Sequence, residues 1–248
     1  MSEALEASIL DEFRLLAEVH RDGWGMATAG PDGRSCYLSN RSAAADAAMF
    51  GTLASRALNS AIIHERLASP GIALVLDNQQ PFMSGGLAFA HNGTIGNADG
   101  NIVDRPHSYR ETLGLARSTT RSDSKLYGEL FAHRLGLERR TEGAFSPTPE
   151  ELGLALSETI RLLRRDYPDS SYNNVIQTSD YTAITRAHAG APVYGQGLRR
   201  IYEAAGWSDR IDSYFTIVYT SVAHADGTVF GVASSSGYPA SDGWTELQ

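Results

Sequence analysis

The sequence predicts a layered α+β protein built on antiparallel sheets, and three observations carry that expectation. Strand-like runs come in mostly hairpin-linked groups, two amphipathic helices stand together between those groups, and the pattern does not wrap as a βαβ repeat. The 248 residues, 42% hydrophobic and 20% charged, suffice for one domain with a sizeable core. Residues 1–248 are read as that single domain, without a repeat, low-complexity tract or linker.

Taken in order, Leu5, Ile9, Phe13, Leu16 and Ala17 stand at helical spacing, and the glycines of "HRDGWG" end that helix near His20. "WGMATAG" and "SCYLSN" flank "PDG" as a hairpin, and "AAADAAMFGTLASRAL" returns to a helical period. "AIIHER" reads as a short buried strand. "DSKLYGELFAHRLGL" places Leu126, Leu130 and Leu137 on one helical stripe with Asp123 as the N-cap, and "TPEELGLALSETIRLLRRDY" is a second amphipathic helix. The last hundred residues bring the β-branched and aromatic runs "NNVIQTS", "YTAITRAH", "YFTIVYTSV" and "TVFGVASSS", with a hairpin turn expected at Asp226-Gly227.

Composition removes several classes of function. No apolar run approaches a membrane span, and the first twenty residues lack the basic start and apolar middle of a signal peptide, so the expected compartment is the cytoplasm. A single cysteine, Cys36, rules out an internal disulfide framework and cysteine-based zinc sites. A net charge of -8 without a long basic cluster argues against nucleic acid as partner. Arg139-Arg140 and Arg164-Arg165 read as solvated helix ends.

Four polar clusters need an account: "HRDGWG", "HERLAS", "HNG" and "RSDS". Each has an ordinary structural reading. Asn92-Gly93 follows an apolar run as a hairpin turn would. His64-Glu65 lacks the second histidine of a zinc helix, because Ala68 stands there, and no metal is expected. His20, His64 and His91 are each compatible with a packed imidazole, Asp123 with a helix cap, and Arg66 with a surface position. A cation beside a buried strand does, however, call for an anionic partner.

In order, "HRDGWGMA", "IIHERLASPG" followed by "NQQPF", "LAFAHNGTI", "RSDSKLYGELF" and "VASSSGYPASDGW" resemble the class II glutamine amidotransferase family, in its short stand-alone branch of the N-terminal-nucleophile hydrolases. The resemblance runs from about His20 to the C-terminus. It implies a four-layer αββα sandwich and a site for L-glutamine or a γ-glutamyl compound, hydrolysed without a cofactor to release ammonia or an amine. It also implies roles that the chemistry supports. Arg66 grips the α-carboxylate with a bidentate fork, Ser69 adds a hydroxyl and Asp123 accepts from the α-ammonium. The Asn92 amide and the Gly93 backbone N–H stabilise the charge that develops on the carboxamide oxygen. Gly93 also lets the main chain approach closely. The chain shows no synthetase domain, so an acceptor of ammonia is expected to be a separate protein.

Members of the family carry the nucleophile as an N-terminal cysteine on a central strand. This chain begins "MSEALEASILDEF", and Gln80 and Leu67 replace the His and the aromatic residue usual in relatives. Cys36 reads as a buried strand residue. Three readings stand: an amidohydrolase whose cysteine and first strand lie upstream of residue 1, a non-catalytic relative that binds glutamine or acts as a scaffold, and a serine variant using Ser2.

Overall fold

The computed structural model describes all residues except 1, 32, 57, 70, 97–104, 116–121, 138–145, 189–195, 224–226 and 239–242. In chain order its helices are α1 (Ser2–Leu16), α2 (Ala47–Ala54), α3 (Arg105–Thr112), α4 (Asp123–Arg134), α5 (Pro149–Arg164) and α6 (Gln196–Ala204). The strands are β1 (Trp24–Gly30), β2 (Gly33–Ser39), β3 (Ser60–Glu65), β4 (Phe82–Ser84), β5 (Leu87–Asn92), β6 (Asn173–Gln177), β7 (Thr182–Thr185), β8 (Val218–Ala223), β9 (Val229–Ser234) and β10 (Thr245–Glu246). They form three antiparallel sheets, ordered β2-β1-β3, β4-β5-β6-β7 and β10-β8-β9.

Alternation along the strands builds the layers, because successive side chains point to opposite faces. On β1, Trp24 and Met26 pack with Ala17, Phe50 and Leu53, which places α1 and α2 over one face. Ala27 and Ile62 point the other way and meet Ala88 and Ala90 of β5, so mostly small side chains join two sheets face to face. The opposite face of β5 carries Leu87 and Phe89 into the largest cluster, with Tyr127, Leu130 and Phe131 of α4 and Leu152, Leu156 and Leu163 of α5. The sequence of layers is therefore helix, sheet, sheet, helix. β5 is buried on both faces, which explains its nearly unbroken apolar run.

Helix α5 has a visible start in its sequence. Thr148 accepts from Glu151 N–H at 3.2 Å while the Glu151 carboxylate accepts from Thr148 N–H at 2.9 Å. This reciprocal cap satisfies two donors that the first turn cannot. Thr148→Ala is expected to cost about 1 kcal/mol of stability, read as a lower urea midpoint at unchanged slope.

Several expectations need correction. The N-cap of α4 is Ser122, whose side chain accepts from Lys125 N–H; Asp123 is the first helical residue, and its carboxylate turns to Ile95 N–H at 2.7 Å. No hairpin turn occurs at Asn92-Gly93. Asn92 ends β5, whose neighbours are β4 before it and β6 much later in the chain. At the β8–β9 hairpin the last pair is Ala223 with Val229, so the connection has five residues; Gly227 takes φ 87° within it, and Asp226 lies outside the described residues, as do Arg139-Arg140. Helices α3 and α6 stand in segments whose sequence gave no helical expectation.

Candidate functional site

The same alternation selects which polar residues meet. On β5, Asn92 shares the face of Ala88 and Ala90 and points between the sheets, whereas His91 points to the helices. On β3, His64 shares the face of Ile62, and Arg66, just past the strand, continues that face, while Ile63 and Glu65 turn toward α1. A cavity of about 140 Å³ lies where these strands end. Arg66, Ser69, Asn92, Gly93 and Asp123, singled out from sequence, all line it.

Arg66 is buried, at 6% exposure. Its Nη2 donates weakly to Ala73 O at 3.4 Å, and its Nη1 has no partner. Burial pulls its pKa down, and the charges of Asp22 and Asp123 oppose that shift. The expected anionic partner is thus present as field and not as a direct ion pair. Ser69 Oγ lies 3.4 Å from Thr94 Oγ1. Asp123 is also buried; desolvation raises its pKa, and His91 with nearby backbone N–H groups works against the rise.

Asn92 donates one amide hydrogen to Ser236 Oγ at 3.0 Å, and its Oδ1 is buried without a partner. Gly93 is required by close approach, since a Cβ there would lie 2.4 Å from Ser171 O and 2.5 Å from His91 Nε2. Such contacts force the backbone to move. Gly93→Ala is expected to destabilise the fold by about 1 to 3 kcal/mol, measured by chemical denaturation. An unchanged midpoint would contradict the packing argument.

The histidines divide by partner. His91 is a packed imidazole: Nε2 donates to Ser171 O at 2.8 Å, and Nδ1 accepts from Ser124 at 2.9 Å. Gln80, which differs from the usual His, binds the β5 backbone on both sides of His91, accepting from its N–H at 2.6 Å and donating to its carbonyl at 3.3 Å. It thereby fixes the strand that carries Asn92. Burial pushes His64 down to about 3, and its Nδ1 has no partner.

Sequence reasoning read His20 only as a packed imidazole and missed Tyr202, its partner beside the cavity. His20 Nδ1 donates to Glu65 O at 2.9 Å, His20 Nε2 lies 3.0 Å from the Tyr202 hydroxyl, and that hydroxyl donates to Ser236 O at 2.9 Å. Ser236, at φ 62°, holds a left-handed conformation, uncommon for a residue with a side chain. Burial pushes the Glu65 carboxyl up to about 9, and neither of its oxygens has a partner. Nothing in the sequence pattern distinguishes Tyr202 from a core aromatic.

No thiol lines the cavity: Cys36 sits on β2, its Sγ 3.9 Å from Pro81 O. Ser2 begins α1, whose far end supplies the lining residues Phe13 and Leu16, about 16 Å or more of helix away.

No protein-family model and no curated protein sequence matches the chain. Solved structures do. The allosteric regulatory enzyme of purine biosynthesis aligns with a TM-score of 0.56 and 17% identity over 92% of this chain and 39% of its own. Glutamine phosphoribosylpyrophosphate amidotransferase from B. subtilis aligns at 0.52 and 17% over 90% of this chain and 38% of its own. A glutamine aminotransferase class-II domain protein from Silicibacter pomeroyi aligns at 0.47 and 19%, over 92% and 83%. The chain spans about two fifths of the length of the first two. The chain shares the overall fold of the first two of these structures, in the helix, sheet, sheet, helix layering described above.

Proposed function

We propose that the chain is a glutamine amidotransferase-like protein, a single domain over residues 1–248 that takes L-glutamine or a γ-glutamyl compound between its sheets. The observation that carries this reading is the buried Arg66 guanidinium, whose Nη1 lacks a partner in a cavity that Asp123 also lines. A buried cation with an unused donor calls for an anion, and the α-carboxylate of an amino acid supplies one while its ammonium suits Asp123. Ser69 adds a hydroxyl to the carboxylate end. Asn92 keeps one amide hydrogen beyond its bond to Ser236, which with the Gly93 N–H serves a developing oxyanion.

In this reading hydrolysis waits on a nucleophile, because an oxyanion hole alone leaves only residual catalysis. A glutamine-binding relative without catalysis is the second reading, favoured by the absence of a thiol among the described residues that line the cavity. Released ammonia would pass to a separate synthetase. No metal or cofactor enters the scheme, nor does nucleic acid. No described helix is long and apolar enough to cross a membrane, and the cytoplasm is the proposed compartment. Calorimetric titration with L-glutamine, paired with an ammonia-release assay, tests the scheme: binding without release fits a site lacking its nucleophile. No binding by the folded chain would rule out the site.

A further inference from the structure

Among the described residues, Ser236 is the one non-glycine with a positive φ, at 62°. That region suits glycine and strains most residues that carry a side chain. Gly237 follows at φ 72°, where a Cβ would lie 2.3 Å from Arg210 O. The chain leaving β9 therefore turns through two left-handed residues, and only the second is a glycine. Backbone strain persists where surrounding contacts over-determine it, and it gathers at functional sites.

Ser236 is held from both sides. Its N–H donates to Tyr214 O at 2.9 Å, and its carbonyl accepts from the Tyr202 hydroxyl at 2.9 Å. Neither bond uses the side chain, so a glycine would make both without strain. What serine adds is a buried hydroxyl, which accepts from Asn92 Nδ2 at 3.0 Å. The Asn92 Oδ1 has no partner, so the Ser236 contact is what fixes the rotation of that amide. A carboxamide is planar and its two hydrogens diverge; with one bound to Ser236, the direction of the other is set.

Ser236 and Asn92 line the same cavity as Arg66 and Asp123. Resting on the glutamine reading above, we propose that Ser236 is a positioning residue: it binds one hydrogen of the Asn92 amide so that the other meets the γ-carbonyl oxygen of the bound amino acid. The left-handed backbone is kept with a side chain because glycine, which fits it better, has no hydroxyl to offer. A donor fixed beforehand needs no reorganisation when charge develops on that oxygen. The same contact makes the cavity selective for α-amino acids that carry a γ-carbonyl. L-norvaline has the α-carboxylate, the ammonium and the carbon chain of L-glutamine but lacks that oxygen, and it engages only Arg66, Ser69 and Asp123.

Proton–nitrogen correlation spectra of the full chain, with the Asn92 side-chain signals assigned by their loss in Asn92→Ala, test this in titrations with L-glutamine and L-norvaline. In the parent, one Asn92 amide proton is expected to move downfield with L-glutamine and to stay in place with L-norvaline. Ser236→Gly and Ser236→Ala should both lose that shift, while L-norvaline binds them as it binds the parent. Urea denaturation adds a second readout. Ser236→Gly should be at least as stable as Ser236→Ala, because glycine adopts φ 62° freely and alanine does not. The proposal is overturned by a glutamine shift that persists in either variant, by equal responses to the two ligands in the parent, or by a Ser236→Gly chain less stable than Ser236→Ala. If neither amino acid binds the parent, the glutamine reading falls and this inference with it. If both bind and the Asn92 protons do not respond, only this inference falls.

Discussion

Arg66→Ala is expected to remove the thermal stabilisation that L-glutamine gives the parent chain. At about one hundred times the dissociation constant, a ligand that binds only the folded state stabilises it by about 2.7 kcal/mol. Arg66 is the buried cation of the cavity with an unused donor nitrogen. Truncating it leaves the ligand carboxylate without a partner in a partly desolvated space, at a cost of about 2 to 5 kcal/mol in binding. Asp123→Ala should weaken binding similarly through the ammonium, with an added loss of stability, since its carboxylate also accepts from Ile95 N–H at 2.7 Å. Asn92→Ala should matter less to binding, because the charge it serves develops only during reaction. Calorimetry on the parent and the three variants gives the order. Binding that survives both Arg66→Ala and Asp123→Ala would rule out the proposed pocket.

The layer order and the five residues Arg66, Ser69, Asn92, Gly93 and Asp123 were named by the family resemblance, and period-two alternation accounts for the directions of the two that lie on or beside strands. "LAFAHNG" sends Asn92 to the face of Ala88 and Ala90, and "AIIHER" sends Arg66 to the face of Ile62. Its ambiguity at Asn92-Gly93 was resolved only by tertiary structure. A glycine there is demanded by the approach of Ser171, which is distant in sequence, and not by a turn. The Asp123 error has a similar cause: Ser122 and Asp123 are both good caps, and the distant Ile95 N–H decides which one turns inward. Tyr202, and the part Ser236 plays within its quoted segment, could not be foreseen because they rest on side-chain and carbonyl partners contributed by other elements.

The burial of Glu65 carries a cost that titration can expose. Glu65 has both carboxylate oxygens buried without partners, and burial raises its pKa from 4.5 to about 9. Below the unfolded value the group is neutral in both states and costs little. As pH rises through 4.5 the unfolded chain ionises while the folded chain keeps the proton, so stability falls by about 1.4 kcal/mol per pH unit until the folded group ionises near 9. At neutral to mildly alkaline pH the accumulated loss is about 4 kcal/mol. Glu65→Gln keeps the shape and cannot ionise. Near pH 4 the variant should therefore match the parent within about 1 kcal/mol. Near pH 7.5 it should be the more stable by about 4 kcal/mol, a rise of roughly 8 to 16 °C in melting temperature for a chain of this size. Urea denaturation of both proteins at the two pH values isolates the effect, because every other titrating group is common to them. An equal difference at both pH values would mean that Glu65 is ionised in the folded chain or paired with a cation.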